Sequence, residues 1–201
     1  MTRPGSSQVA AVFPDALFHA GGDEVSTACW SENKEVAAWM VSHNMGVTGL
    51  NNYYAMRLFD IVRETMHKAA MVWWPGIADT LNVSAIPRST ILDVYGGPEG
   101  YNASAAMLTA AGLAVVRSAG YYLDQLCEGD PDGKHDGTYW GYFDGWTYYA
   151  RDPVEGPIAT QGNASLILGG KVRPAPGVKQ PAELACLMAF YLVLARYYHS
   201  S

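Results

Sequence analysis

The chain has 201 residues, long enough for one substantial core. Apolar residues make up 49% and charged residues 16%, which excludes a disordered chain, and a net charge of −6 argues against nucleic acid as the main partner. No apolar run approaches the length of a membrane span, and residues 1–8 hold no apolar signal core. The opening residues read as polar and loose, and residues 9–13 as the end of a helix stopped by Pro14. Residues 16–19 (Ala-Leu-Phe-His) read as a short buried strand, followed by Gly21-Gly22-Asp23-Glu24. Residues 31–43 have helical spacing, with Ser31 as the expected N-cap and Asn44-Met45-Gly46 as the stop. Residues 51–68 read as a second helix with Tyr54, Leu58, Ile61 and Val62 on one face. Strands are expected at residues 69–74, ended by Pro75-Gly76, and at 89–95, ended by Gly96-Gly97-Pro98. A helix over 101–111 stops at Gly112, and a strand over 113–118 leads to Gly120-Tyr121-Tyr122-Leu123-Asp124. Residues 127–161 show no clear periodicity and read as a long polar and aromatic loop, and residues 166–170 read as a last strand. Alternating apolar strands and helices predict an α/β fold with a parallel sheet covered by helices.

Chemistry concentrates at the two adjacent acids. Neighbouring side chains on a strand point to opposite faces, so Asp23 and Glu24 can serve one pocket only where the backbone has begun to turn. Gly21 and Gly22 permit that turn. An Asp-Glu pair ahead of a helix also serves as a cap with a favourable first-turn charge. The three cysteines, Cys29, Cys127 and Cys186, show no spacing for a zinc site. Asn82-Val-Ser84, Asn102-Ala-Ser104 and Asn163-Ala-Ser165 are glycosylation sequons and favour a secretory or lysosomal setting.

Phe13-Pro14-Asp15, His19, the Gly-Gly-Asp-Glu-Val core and Cys29-Trp30 together closely resemble the active-site segment of family 20 glycoside hydrolases, the β-N-acetylhexosaminidases. The Gly-Gly-Asp-Glu-Phe pattern of diguanylate cyclases is a poorer match, because Val25 replaces the aromatic and the cyclases lack the His and the Cys-Trp. Ser118-Ala119-Gly120-Tyr121-Tyr122-Leu123-Asp124 resembles a second family segment. The resemblance implies a partial TIM (β/α)8 barrel, about strands four to eight, over residues 1–170, with a divergent tail over 171–201. It implies that Asp23 and Glu24 are the catalytic acids and that Trp73 (with Trp74 in reserve) walls the acetamido pocket. It assigns Tyr122 to the acetamido carbonyl oxygen, Asp124 to sugar hydroxyls, and to His19 a hydrogen bond that orients the acids. Tyr95 stands where the family often has Trp. The first-strand Arg and the last-strand Trp and Glu of the family are absent, the chain reading Gly169-Gly170-Lys171-Val172-Arg173 instead.

The implied activity is hydrolysis of terminal GlcNAc or GalNAc by substrate-assisted retaining catalysis. Glu24 then needs a raised pKa, for which a neighbouring anion and an apolar wall are expected. No metal or organic cofactor is implied, and the implied partner is an N-acetylhexosamine-containing glycan. The full-length protein is expected to be lysosomal or secreted, without a membrane span, and a homodimer. The alternative reading is a catalytically inactive carbohydrate-binding remnant.

Overall fold

Five short apolar runs, each closed by Gly, Pro or a polar residue, form the strands of one parallel sheet. They are β1 (Leu17–His19), β2 (Ala69–Trp74), β3 (Ile91–Val94), β4 (Ala114–Arg117) and β5 (Ile167–Gly170). The computed structural model describes residues 4–95, 98–119 and 152–170. The strands lie side by side in chain order, β1-β2-β3-β4-β5. Parallel neighbours need a crossover, and helices supply it. The first crossover holds α2 (Ala28–Glu32), α3 (Lys34–Ser42) and α4 (Val47–Asp60), and the third holds α5 (Pro98–Ala110). α1 (Pro4–Val12) precedes β1, and α6 (Pro157–Gln161) leads toward β5. Register places His19 beside Met71, Trp73 beside Asp93, and Asp93 beside Val116.

Alternation along the strands separates two faces. On one, Val72, Trp74, Leu92, Val94 and Val115 join Ala55, Phe59, Val62, Ala105, Leu108 and Ile158 from the helices in a single core. Burying each of the larger aliphatic side chains contributes about 1.5–3 kcal/mol. On the other face lie His19, Trp73, Asp93 and Val116. All five expected strands are present, within about two residues of the bounds read from the sequence. The helices call for corrections.

The helix expected over residues 31–43 is two helices, and its cap is Asn33, not Ser31. Asn33 Oδ1 accepts the backbone N–H of Glu35 at 3.0 Å and of Val36 at 3.1 Å. Ser31 sits inside α2. The second helix begins at Val47, ends in a π-helical turn over Ile61–Thr65, and buries Asn51, Ala55, Phe59 and Val62 while Tyr54 is exposed. Asn51 belongs on that face because its Nδ2 donates to Ile77 O at 3.0 Å and to Thr80 Oγ1 at 2.9 Å. Lys68 is outside the helix and buried, its ammonium donating to the carbonyls of Phe13 and Asp15. Within the stretch read as a long loop, α6 packs on α5 through Ile158. Residues 127–151 of that stretch, and the tail from 171, lie outside the described residues.

Candidate active site

The acid pair stands on a left-handed turn at the C-terminal end of β1. Gly21, Gly22 and Glu24 have φ of 71°, 90° and 47°. The turn continues the β1–β2 ladder before it leaves the sheet. Ala20 N–H donates to Met71 O at 2.7 Å, Trp73 N–H to Gly21 O at 3.0 Å, and Ile77 N–H to Gly22 O at 2.7 Å. A β-carbon on Gly22 would lie 2.6 Å from Ile77 Cγ2, so this position requires glycine for space as well as for φ. Asp23 and Glu24 are both exposed. Val25, Val47, Pro75 and Tyr95 share with Glu24 the lining of one cleft.

His19 does not hold the acids directly. Its Nδ1 accepts the Gly21 N–H at 3.1 Å, and its Nε2 faces Asp93 Oδ2 at 3.1 Å. A ring nitrogen that accepts carries no proton, so this network assigns the proton to Nε2, which donates to Asp93. Asp93 is fully buried, and its Oδ1 accepts the Ser118 Oγ–H at 2.5 Å. A relay thus runs from the glycine turn on β1 through His19 to Asp93 on β3 and Ser118 just past β4. His19 thus ties the turn that bears the acids to β3.

Three rings line up along the same edge. His19 and Trp73 have centroids 4.8 Å apart at 57°, and Trp73 and Tyr95 meet edge-on at 5.3 Å. Trp73 is half-buried on the site face, whereas Trp74 belongs to the core. Burial raises the Tyr95 hydroxyl above its usual pKa, the charges of Glu24 and Asp23 add to the rise, and a backbone hydrogen bond at Glu24 works against it. A cleft of about 350 Å³ opens beside Glu24, lined by Thr27, Thr48, Asp79, Thr80 and Tyr95 among others. Tyr122 and Asp124 lie outside the described residues, while Ser118, from the same segment, is in the relay. Asp93 was legible as a signal only by being an acid within the apolar run Ile-Leu-Asp-Val. An Asp that is fully buried needs partners. Cys29 is exposed and free, with its Sγ 3.7 Å from Ser26 O. Among the described residues no group of three or more His, Cys, Asp or Glu is placed to hold a metal ion, and no helix is long and apolar enough to cross a membrane.

A parallel sheet in sequential order, helices on its outer face and an acid pair at a strand's C-terminal end together define a segment of an α/β barrel, with the acids at the end of the sheet where such barrels carry their active sites. The family model for the glycosyl hydrolase family 20 catalytic domain matches residues 6–174. The chain belongs to glycosyl hydrolase family 20. It is 32% identical over 166 residues to beta-hexosaminidase subunit beta of Felis catus, covering 82% of this chain and 28% of that relative. It is 33% identical over 131 residues to subunit alpha of Bos taurus, covering 63% of this chain and 24% of that relative. The exo-beta-N-acetylglucosaminidase of Vibrio harveyi, solved with N-acetylglucosamine, shares the fold at a TM-score of 0.65 and 17% identity, over 94% of this chain and 29% of that one. The chitobiase of Flavobacterium johnsoniae does so at 0.58 and 18%, over 96% and 33%. The chain therefore spans about a quarter to a third of these relatives.

Proposed function

We propose that this chain is the acid-bearing segment, residues 1–170, of a β-N-acetylhexosaminidase that removes terminal non-reducing GlcNAc or GalNAc from glycans. The observation that carries the reading is the left-handed turn that lifts Asp23 and Glu24 off the end of β1, next to Trp73 and Tyr95. The substrate's acetamido carbonyl oxygen attacks the anomeric carbon as the bond to the leaving oxygen breaks. Glu24 gives its proton to that oxygen, and an oxazolinium forms. Water then adds at the anomeric carbon, the bond from that carbon to the acetamido oxygen breaks to restore the acetamide, and Glu24 takes a proton from the water. Asp23, ionised, accepts the acetamido N–H and stabilises the positive charge. Trp73 walls the acetamido group, with Tyr95 against its edge. Tyr122 bonds the acetamido oxygen, and Asp124 accepts from sugar hydroxyls. The names of the relatives support hexosaminidase chemistry, and the three sequons support a secretory or lysosomal setting for the full protein.

The test compares leaving groups in the natural protein that contains this chain. Glu24→Gln should lower turnover of β-GlcNAc glycosides with poor leaving groups by about 100- to 10,000-fold and leave activated aryl glycosides far less affected. Equal losses for both would remove Glu24 from the general-acid role.

A further inference from the structure

Three sequons occur in the chain, and the structure treats them differently. Asn82 and Ser84 are both exposed, as are Asn163 and Ser165. At each site the Asn Oδ1 takes two bonds from its own Ser. Asn82 accepts Ser84 N–H at 3.0 Å and Ser84 Oγ–H at 2.8 Å. Asn163 accepts Ser165 N–H at 3.1 Å and Oγ–H at 2.7 Å. The oxygen is thereby fixed and the amide nitrogen is presented to solvent. Asn102 is the opposite case. It is half-buried on α5, its Oδ1 is buried without a hydrogen-bond partner, and a β-carbon on Gly156 would meet its Nδ2 at 3.4 Å. Its amide thus lies beside the turn at Gly156, with the oxygen turned into the protein.

We propose that Asn82 and Asn163 are N-glycosylation sites and that Asn102 is not. The donor class is an oligosaccharide carried on a polyprenyl pyrophosphate. A bond forms from the Asn Nδ2 to the first sugar's anomeric carbon, the bond from that carbon to the pyrophosphate oxygen breaks, and the amide nitrogen gives up one proton. Asn163 stands at the entry of β5, the end of the sheet opposite the acid pair, and Asn82 lies two positions past Thr80 on the cleft lining. The proposal depends on entry into the endoplasmic reticulum and on no part of the catalytic reading.

The test directs residues 1–201 into a eukaryotic secretory pathway behind a cleavable signal peptide. The secreted, protease-resistant protein is treated with peptide N-glycosidase F in heavy-oxygen water. Each formerly glycosylated Asn then becomes an Asp labelled with the heavy isotope, which peptide mass spectrometry locates. Label is expected at 82 and 163 and not at 102. Ser84→Ala and Ser165→Ala keep the backbone bond to each Asn and remove only the hydroxyl. Each should lose one glycan step on a gel, and the double variant should migrate as the deglycosylated chain. Label at 102, or its absence at 82 or 163, overturns the proposal. Since no step reads hydrolysis, a failure here is distinct from a failure of the proposed function.

Discussion

Asp93→Ala should destabilise the fold and loosen the acid-bearing turn together. The carboxylate has no exposed surface, and the Ser118 that donates to it is 1% exposed, so water cannot replace the lost acceptor there. A buried donor left without a partner costs about 1–3 kcal/mol. The second donor, His19 Nε2–H, has a side chain 26% exposed, so water recovers part of its loss. Together the two place the cost at about 2–4 kcal/mol. Asp93→Asn should cost only about 1 kcal/mol. Its oxygen still faces His19 while its amide donates to Ser118 Oγ, and losing a buried charge returns part of the difference. The assay is urea unfolding followed by tryptophan fluorescence, with the slope checked for constancy. Nitrogen NMR of the His19 ring supplies a readout that general destabilisation does not move. The native ring should show an unprotonated Nδ1 and a protonated Nε2, and Asp93→Ala should shift both signals toward tautomer exchange. The reasoning is refuted if Asp93→Ala lies within about 0.5 kcal/mol of Asp93→Asn, or if the native ring carries its proton on Nδ1.

Gly21 and Gly22 should separate two effects in the same assay. Alanine at Gly21 meets no atom within 4 Å and should cost only the left-handed penalty, about 1–2 kcal/mol, whereas at Gly22 the overlap with Ile77 should add about 1–3 kcal/mol. Equal costs would show that the Ile77 contact is not what demands glycine. Tyr95, with a folded pKa above its unfolded value of about 10, adds stability that is complete below that pH and is lost as pH rises through the folded value. Tyrosinate absorbance, taken as the difference between the native chain and Tyr95→Phe, should show this late titration. Glu24→Gln should bring it lower, and an unmoved curve would mean that the acid's charge does not reach the hydroxyl.

The strands were legible because each is an apolar run closed by a breaker, as in Ala69–Trp74 before Pro75. The turn was legible for a different reason, since two adjacent acids cannot share a pocket from a regular strand. Helix detail was not. Ser31 and Asn33 are both good caps, and which one closes a turn depends on where the chain arrives from β1. The buried face of α4 was misplaced because its first member, Asn51, is polar, and its partners Ile77 and Thr80 lie 26 and 29 residues away. Lys68 misled in the same way, its carbonyl partners being 55 and 53 residues back. Asp93 has the same origin, with His19 74 residues before it and Ser118 25 after it. A polar residue that is satisfied only by distant partners leaves no local period to read.

The sequential strand order has a consequence for synthesis. Chains grow from the N-terminus at about 5–20 residues per second, and here every new strand docks on the one made just before it. The sheet can therefore assemble at the ribosome without waiting for distant sequence. The acid turn cannot. Gly21 and Gly22 emerge early, but the Asp93 that orients His19 follows 74 residues behind it, and Ser118 another 25 later. At those rates the turn waits about 5–20 seconds for its relay. The nascent chain therefore has its first strands before the relay that fixes the turn bearing Asp23 and Glu24.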